Sequence, residues 1–78
     1  MLHLEILSPS AKIFEGEVNS VIFPGEVGAF GVLTNHAPVI SVLKEGIIEW
    51  YINGKREQLE INGGVVEVLH NKASVLVK

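Results

Sequence analysis

The sequence predicts an all-β domain, an antiparallel β-sandwich or flattened barrel with little or no helix. Three observations carry this. Apolar residues recur with a period of two, turn residues interrupt that pattern at short intervals, and no window shows the 3.6-residue stripe of an amphipathic helix. Seventy-eight residues make one domain.

In Leu2-His3-Leu4-Glu5-Ile6 the three apolar residues share one face and His3 and Glu5 the other, the pattern of a half-buried strand. A short extended piece follows around Lys12 to Glu15, and the β-branched run from Glu17 to Phe23 predicts a second strand. Val39 to Leu43 and Gly46 to Ile52 come next. The latter is apolar on both faces near Ile47, Ile48 and Trp50, so it is central or covered on both sides. Asn53-Gly54 predicts a type I′ hairpin turn, because both of its central residues need positive φ. Lys55 to Ile61 returns from it, and Asn62-Gly63-Gly64 ends that strand. Val65 to Leu69 and Ala73 to Val77 make a last hairpin about His70-Asn71-Lys72.

Composition narrows the function classes. A chain this short buries only about 60% of its unfolded surface. With 47% hydrophobic residues and no cysteine, it has a rich core for its size and no disulfide or thiolate metal site. Some apolar surface is therefore expected to meet another protein. The net charge of −3, with scattered basic residues, argues against nucleic acid. No apolar run reaches the roughly 18 residues of a spanning helix, and no signal or transit peptide is visible, so membrane association is expected only through a complex.

Candidate chemistry is sparse. A nucleophilic triad would need glutamate as its acid, since all nine acids are Glu, and no G-x-S-x-G elbow occurs. His3, His36 and His70 lack the short spacing of a zinc motif. The glycines near Gly25 lack the G-K-[ST] ending of a P-loop. Gly25-Glu26-Val27-Gly28 matches the bare G-x-x-G of a KH loop, but its flanks look like strand and Glu26 is acidic. No catalytic residue, cofactor site or metal ligand is singled out.

The informative stretch is FPGEVGAFGVLTNHAPVI, residues 23 to 40. Phe23-Pro24-Gly25-Glu26 fits a type II turn, with Gly25 at positive φ, and Pro38 biases Ala37 to extended backbone. A glycine-rich loop carrying Val27, Phe30, Val32 and Leu33 cannot bury all four against one small core. An exposed apolar tip at the end of a sandwich is a docking surface.

The same stretch carries a resemblance. Pro24-Gly25-x-x-Gly28-x-Phe30-Gly31, followed by His36-Ala37-Pro38-Val39-Ile40, closely resembles the epsilon subunit of F-type rotary ATP synthases. Leu43-Lys44-x-Gly46-x-Ile48 looks like that family's turn into its next strand. Gly63-Gly64-Val65-Val66-Glu67-Val68 with Ala73-Ser74-Val75-Leu76 looks like its closing hairpin. The matching blocks run from about Leu4 to Val77.

The resemblance implies a ten-stranded β-sandwich and a non-catalytic place in the rotor. That place is the foot of the central stalk, between the gamma subunit and the ring of c subunits, peripheral on the cytoplasmic face of the bacterial membrane. It implies a ring-facing set of Glu26, Val27, Gly28, Ala29 and Phe30. By the family's contact regions it implies a gamma-facing set of Ser8, His36, Ala37, Val39, Ile40 and Ile47. By alternation alone, Ile40 and Ile47 fit core as well as interface, and Gly28 fits a backbone requirement. Phe30, a large aromatic amid glycines, is taken as an interface anchor whose replacement by Asp leaves the domain folded. Ala29 stands where relatives often carry an acid, and Thr34 where proline is common. The family's C-terminal helical hairpin is expected to be absent from a chain that stops at Lys78. The alternative reading is a generic interaction sandwich with another partner.

Overall fold

The computed structural model describes Met1 to Lys78. It holds nine strands and no helix: β1 Leu2–Leu7, β2 Lys12–Val18, β3 Ser20–Pro24, β4 Ala29–Leu33, β5 Val39–Leu43, β6 Gly46–Ile52, β7 Lys55–Ile61, β8 Gly64–Leu69 and β9 Lys72–Val77. They form two sheets, one in the order β2-β1-β9-β8-β5 and one in the order β4-β3-β6-β7. The strand count is thus nine rather than ten, and the architecture is an open sandwich. All ladders are antiparallel except β1 with β9, which run parallel.

The period of two does what it predicts. Leu2, Leu4 and Ile6 are fully buried and their neighbours along β1 are not. Val66, Val68, Ala73, Val75 and Val77 extend that inner face across β8 and β9, and Val21, Phe23, Val32, Ile48, Trp50 and Ile61 oppose it from the other sheet. Each such side chain contributes about 1.5–3 kcal/mol when fully buried, which is what lets a cysteine-free chain of this size fold.

Three expectations need correcting. The predicted strand from Glu17 to Phe23 is broken at Asn19, because β2 lies in one sheet and β3 in the other. Asn19 makes the crossing: its N–H donates to Tyr51 O (2.8 Å) and its side-chain oxygen accepts from Asn53 N–H (2.6 Å). The stretch between Phe23 and Val39 is not all loop, since it contains β4. Phe30 and Val32 face inward there, while Ala29, Gly31 and Leu33 are exposed.

The type II turn at Phe23–Glu26 is also absent. Gly25 does not have positive φ, and the turn lies two residues later, closed by Gly28 N–H donating to Gly25 O at 3.1 Å. Gly25 is needed for space instead. A Cβ there would lie 2.5 Å from Gly28 O and 2.9 Å from the Phe30 ring. Gly64 is similar, since a Cβ would lie 2.3 Å from Leu76 O.

The predicted type I′ turn is present, with Asn53 at φ 51° and Gly54 at 83°. His70 (51°) and Asn71 (61°) form the matching two-residue turn between β8 and β9 without any glycine.

Candidate functional site

Register brings together residues far apart in sequence on the outer face of the five-stranded sheet. Leu7 pairs with Leu76, Leu76 with Val65, and Val65 with Val42. These four side chains form one apolar row across β1, β9, β8 and β5. With strands about 4.8 Å apart, the row is about 14 Å long. Ile40, 75% exposed, and Leu69 extend it along β5 and β8. Two shallow apolar grooves follow the row. One, about 250 Å³, lies among Leu7, Ile40, Val65 and Leu76; the other, about 380 Å³, lies among Pro9, Val42, Val65 and Leu76.

The Gly25–Gly28 turn adjoins this face. Glu26 N–H donates to Val42 O (2.9 Å), Lys44 N–H donates to Pro24 O (2.9 Å), and Gly25 forms a β-bridge with Leu43. Glu26, Val27, Gly28 and Ala29 are exposed, and Val27 is bare to solvent at the tip. Phe30 differs from its neighbours. Its ring is half-buried, 5.6 Å from the Phe23 ring and tilted 41° to it, so it serves the core on at least one side.

The gamma-facing candidates divide. Ile40 and Ala37 are exposed, and Ile40 stands on the apolar face. Ser8 follows the last residue of β1, Leu7, in a tight turn where its N–H donates to Ala11 O at 2.8 Å. His36 is half-buried, and its Nδ1 lies 2.6 Å from Ala37 O. A carbonyl only accepts, so Nδ1 is the protonated nitrogen. Its loop is tied to the β8–β9 turn by Asn35 and Asn71, which exchange hydrogen bonds of 2.5 and 3.2 Å. Val39 points inward opposite Val68 and packs on the core. Ile47 is exposed on the outer face of the four-stranded sheet, opposite Glu60, and is not brought to the others.

Leu7, Val42, Val65, Leu69 and Leu76 were not among the sequence candidates. The signal that could have found them is alternation in which both faces of a strand are apolar, as in Val39–Leu43 and in Leu76 with its buried neighbours.

The family model for the ATP synthase delta/epsilon chain β-sandwich domain matches residues 1–78. The chain belongs to that family. A Nitratiruptor protein named ATP synthase epsilon chain is 51% identical over 78 residues, covering 99% of this chain and 60% of the relative. A Desulfitobacterium hafniense protein of the same name is 41% identical over 73 residues, covering 94% and 55%. The fold superposes on a chain in the cryo-EM structure of the Euglena gracilis mitochondrial ATP synthase, OSCP/F1/c-ring, with a TM-score of 0.92 at 25% identity, covering 97% of this chain and 49% of that one. A chain of the Tetrahymena thermophila mitochondrial ATP synthase central stalk and c-ring matches with a TM-score of 0.81 at 14% identity, covering 97% and 62%, a likeness of fold alone. This delta/epsilon-type sandwich thus spans between 49% and 62% of the length of these relatives.

Proposed function

We propose that this chain is the β-sandwich of the epsilon subunit of an F-type ATP synthase, without catalysis of its own, and that it joins the gamma subunit to the ring of c subunits. The observation that carries the reading is the apolar row Leu7–Leu76–Val65–Val42, exposed on a domain whose core is already filled. Membership of the delta/epsilon family supports gamma as the partner on this face, with Ser8, His36, Ala37 and Ile40 at its edge. The adjoining tip, Glu26 to Ala29, faces the ring. There Glu26 offers a carboxylate to basic ring loops, and Val27 offers apolar contact.

Magnitudes show why both surfaces are needed. Burying the remaining half of six aliphatic side chains gains roughly 5–9 kcal/mol gross. Association costs about 4–15 kcal/mol in lost freedom, so the apolar face alone leaves at most about 5 kcal/mol, too little for a lasting rotor joint. Lasting interfaces bury more than about 1,000 Å² around an apolar centre, which requires the polar rim and the tip as well. Torque from the ring then reaches gamma through a sandwich whose two sheets share one packed core, so the domain transmits shear without slipping. On this reading the chain is peripheral on the cytoplasmic face of a bacterial membrane, held there by the complex.

The test is reconstitution into vesicles of an F-type ATP synthase complete except for its epsilon subunit, measuring ATP-driven proton pumping with and without this chain, together with its retention on gamma. Restored coupling on adding it is the expected result. Equal pumping in both preparations, with no retention of the chain on gamma, overturns the proposal.

A further inference from the structure

At the opposite end of the same sheet face the chemistry changes to charge. His3 on β1 lies between two carboxylates of the edge strand β2: Nδ1 is 2.6 Å from Glu17 Oε2 and Nε2 is 3.0 Å from Glu15 Oε2. Ionised carboxylates only accept hydrogen bonds, and a neutral imidazole has a single N–H. Both contacts are satisfied together only by the imidazolium. The other charged groups around His3 are Lys12 of β2, which contacts Glu15 and reaches Glu5 at 3.8 Å, Glu5 of β1, and Lys72 of β9, which pairs with His3 in register and reaches Glu5 at 3.8 Å; Glu67 of β8 lies on the same face two strands from β1, opposite Ser74. Charged His3 therefore balances the patch, three carboxylates against three cations. Neutral His3 leaves an excess of negative charge, with Glu5 directly opposite Glu15.

We infer that His3 is a pH-operated latch holding edge strand β2 to the sheet, and that its deprotonation loosens β2 and uncovers Trp50. β2 is an edge strand, paired only with β1. Its one aromatic, Phe14, packs on Trp50 of the other sheet with ring centroids 4.8 Å apart, so β2 closes that side of the sandwich. Hydrogen bonds from Glu17 and then Glu15 raise the His3 pKa above 6.5. Those from Lys12 and then His3 lower the Glu15 pKa below 4.5. A raised histidine pKa gives stability that is complete below the unfolded value and is lost as pH rises through the folded value. A lowered carboxylate pKa gives stability that is lost as pH falls below 4.5. The latch is closed between these limits and opens on the alkaline side. This inference does not rest on the rotor assignment.

The full chain tests it, because Trp50 is its only tryptophan. Hydrogen-exchange protection factors of β2 amides and acrylamide quenching of Trp50 are followed from pH 6 to pH 9.5, in wild type and in His3→Gln. Wild type is expected to lose β2 protection and gain quenching across the His3 titration, while β7, the charged edge of the other sheet, changes little. His3→Gln is expected to show the loosened state at every pH. An NMR titration of wild-type His3 needs no variant and is expected to give a midpoint above 6.5. A midpoint at or below 6.5, or β2 protection that is the same in both proteins across the range, overturns the latch.

Discussion

Gly25 and Gly28 offer the same chemical change, Gly to Ala, three residues apart in one turn, with opposite expected outcomes. At Gly25 the added methyl would sit 2.5 Å from Gly28 O and within 3.0 Å of two Phe30 ring carbons. The oxygen belongs to the backbone of a turn pinned by Gly28 N–H to Gly25 O and by Glu26 N–H to Val42 O, so it cannot retreat without breaking a bond. Overpacking of this kind costs about 1–3 kcal/mol. The 2.5 Å approach to a backbone oxygen puts this site in the upper half of that range, and the smaller entropy of the unfolded alanine chain returns about 0.4–1 kcal/mol, leaving a net loss of about 1–2 kcal/mol. For a domain of this size each kcal/mol moves Tm by about 4–8 °C, so Gly25→Ala should melt roughly 5–15 °C lower. At Gly28 nothing lies within 4 Å of the new methyl and φ is not positive, so Gly28→Ala should keep or slightly raise Tm. Differential scanning calorimetry of both variants decides it. Equal melting, or a larger loss at Gly28, refutes the account of this turn.

Other outcomes follow from the same packing. Phe23→Ala removes a fully buried ring and should cost about 3–5 kcal/mol by urea unfolding. Phe30→Asp should also destabilise the free chain, by about 1–3 kcal/mol, because the charge displaces a ring packed on Phe23; a variant as stable as wild type returns Phe30 to the role of an exposed anchor. Tyr51 donates to Glu49 at 2.6 Å, which raises the tyrosine pKa above 10.0, and Tyr51 with Gln58 lowers the Glu49 pKa below 4.5. Glu49 therefore stabilises above pH 4.5 and loses that contribution as pH falls, so Glu49→Gln should unfold with a shallower acid dependence than wild type below pH 4.5.

The residues that were legible are those whose signal is local. β1, β6 and β7 and the Asn53-Gly54 turn follow from alternation and from the positive φ that a tight hairpin requires. β4 was hidden because Gly31 interrupts its alternation and the neighbouring glycines resemble a loop. The crossing at Asn19 was hidden because strong strand formers flank it, Val18 before and Val21 to Phe23 after, and only the pairing of the two halves with different sheets shows that Asn19 divides them. Strands apolar on both faces offer the residues of the apolar row singly, but not the row itself. Leu7, Val42, Val65 and Leu76 become neighbours through register, including the parallel β1–β9 pairing between the two ends of the chain, and no local pattern encodes that. Register also separates Ile40 from Ile47, which alternation alone left equivalent.

The most direct test of the rotor proposal is the affinity of this chain for isolated gamma, measured by calorimetry for wild type, Leu76→Glu and Ile22→Glu. Both positions are exposed in the free domain, on the outer faces of opposite sheets, so both variants should stay folded, Ile22→Glu being the less stable because it stands opposite Glu49. Leu76→Glu puts a charge at the middle of the apolar row and should weaken binding at least about tenfold, or about 1.4 kcal/mol, while Ile22→Glu binds like wild type. Wild-type affinity in Leu76→Glu, or a loss confined to Ile22→Glu, would contradict the assignment of this face to gamma.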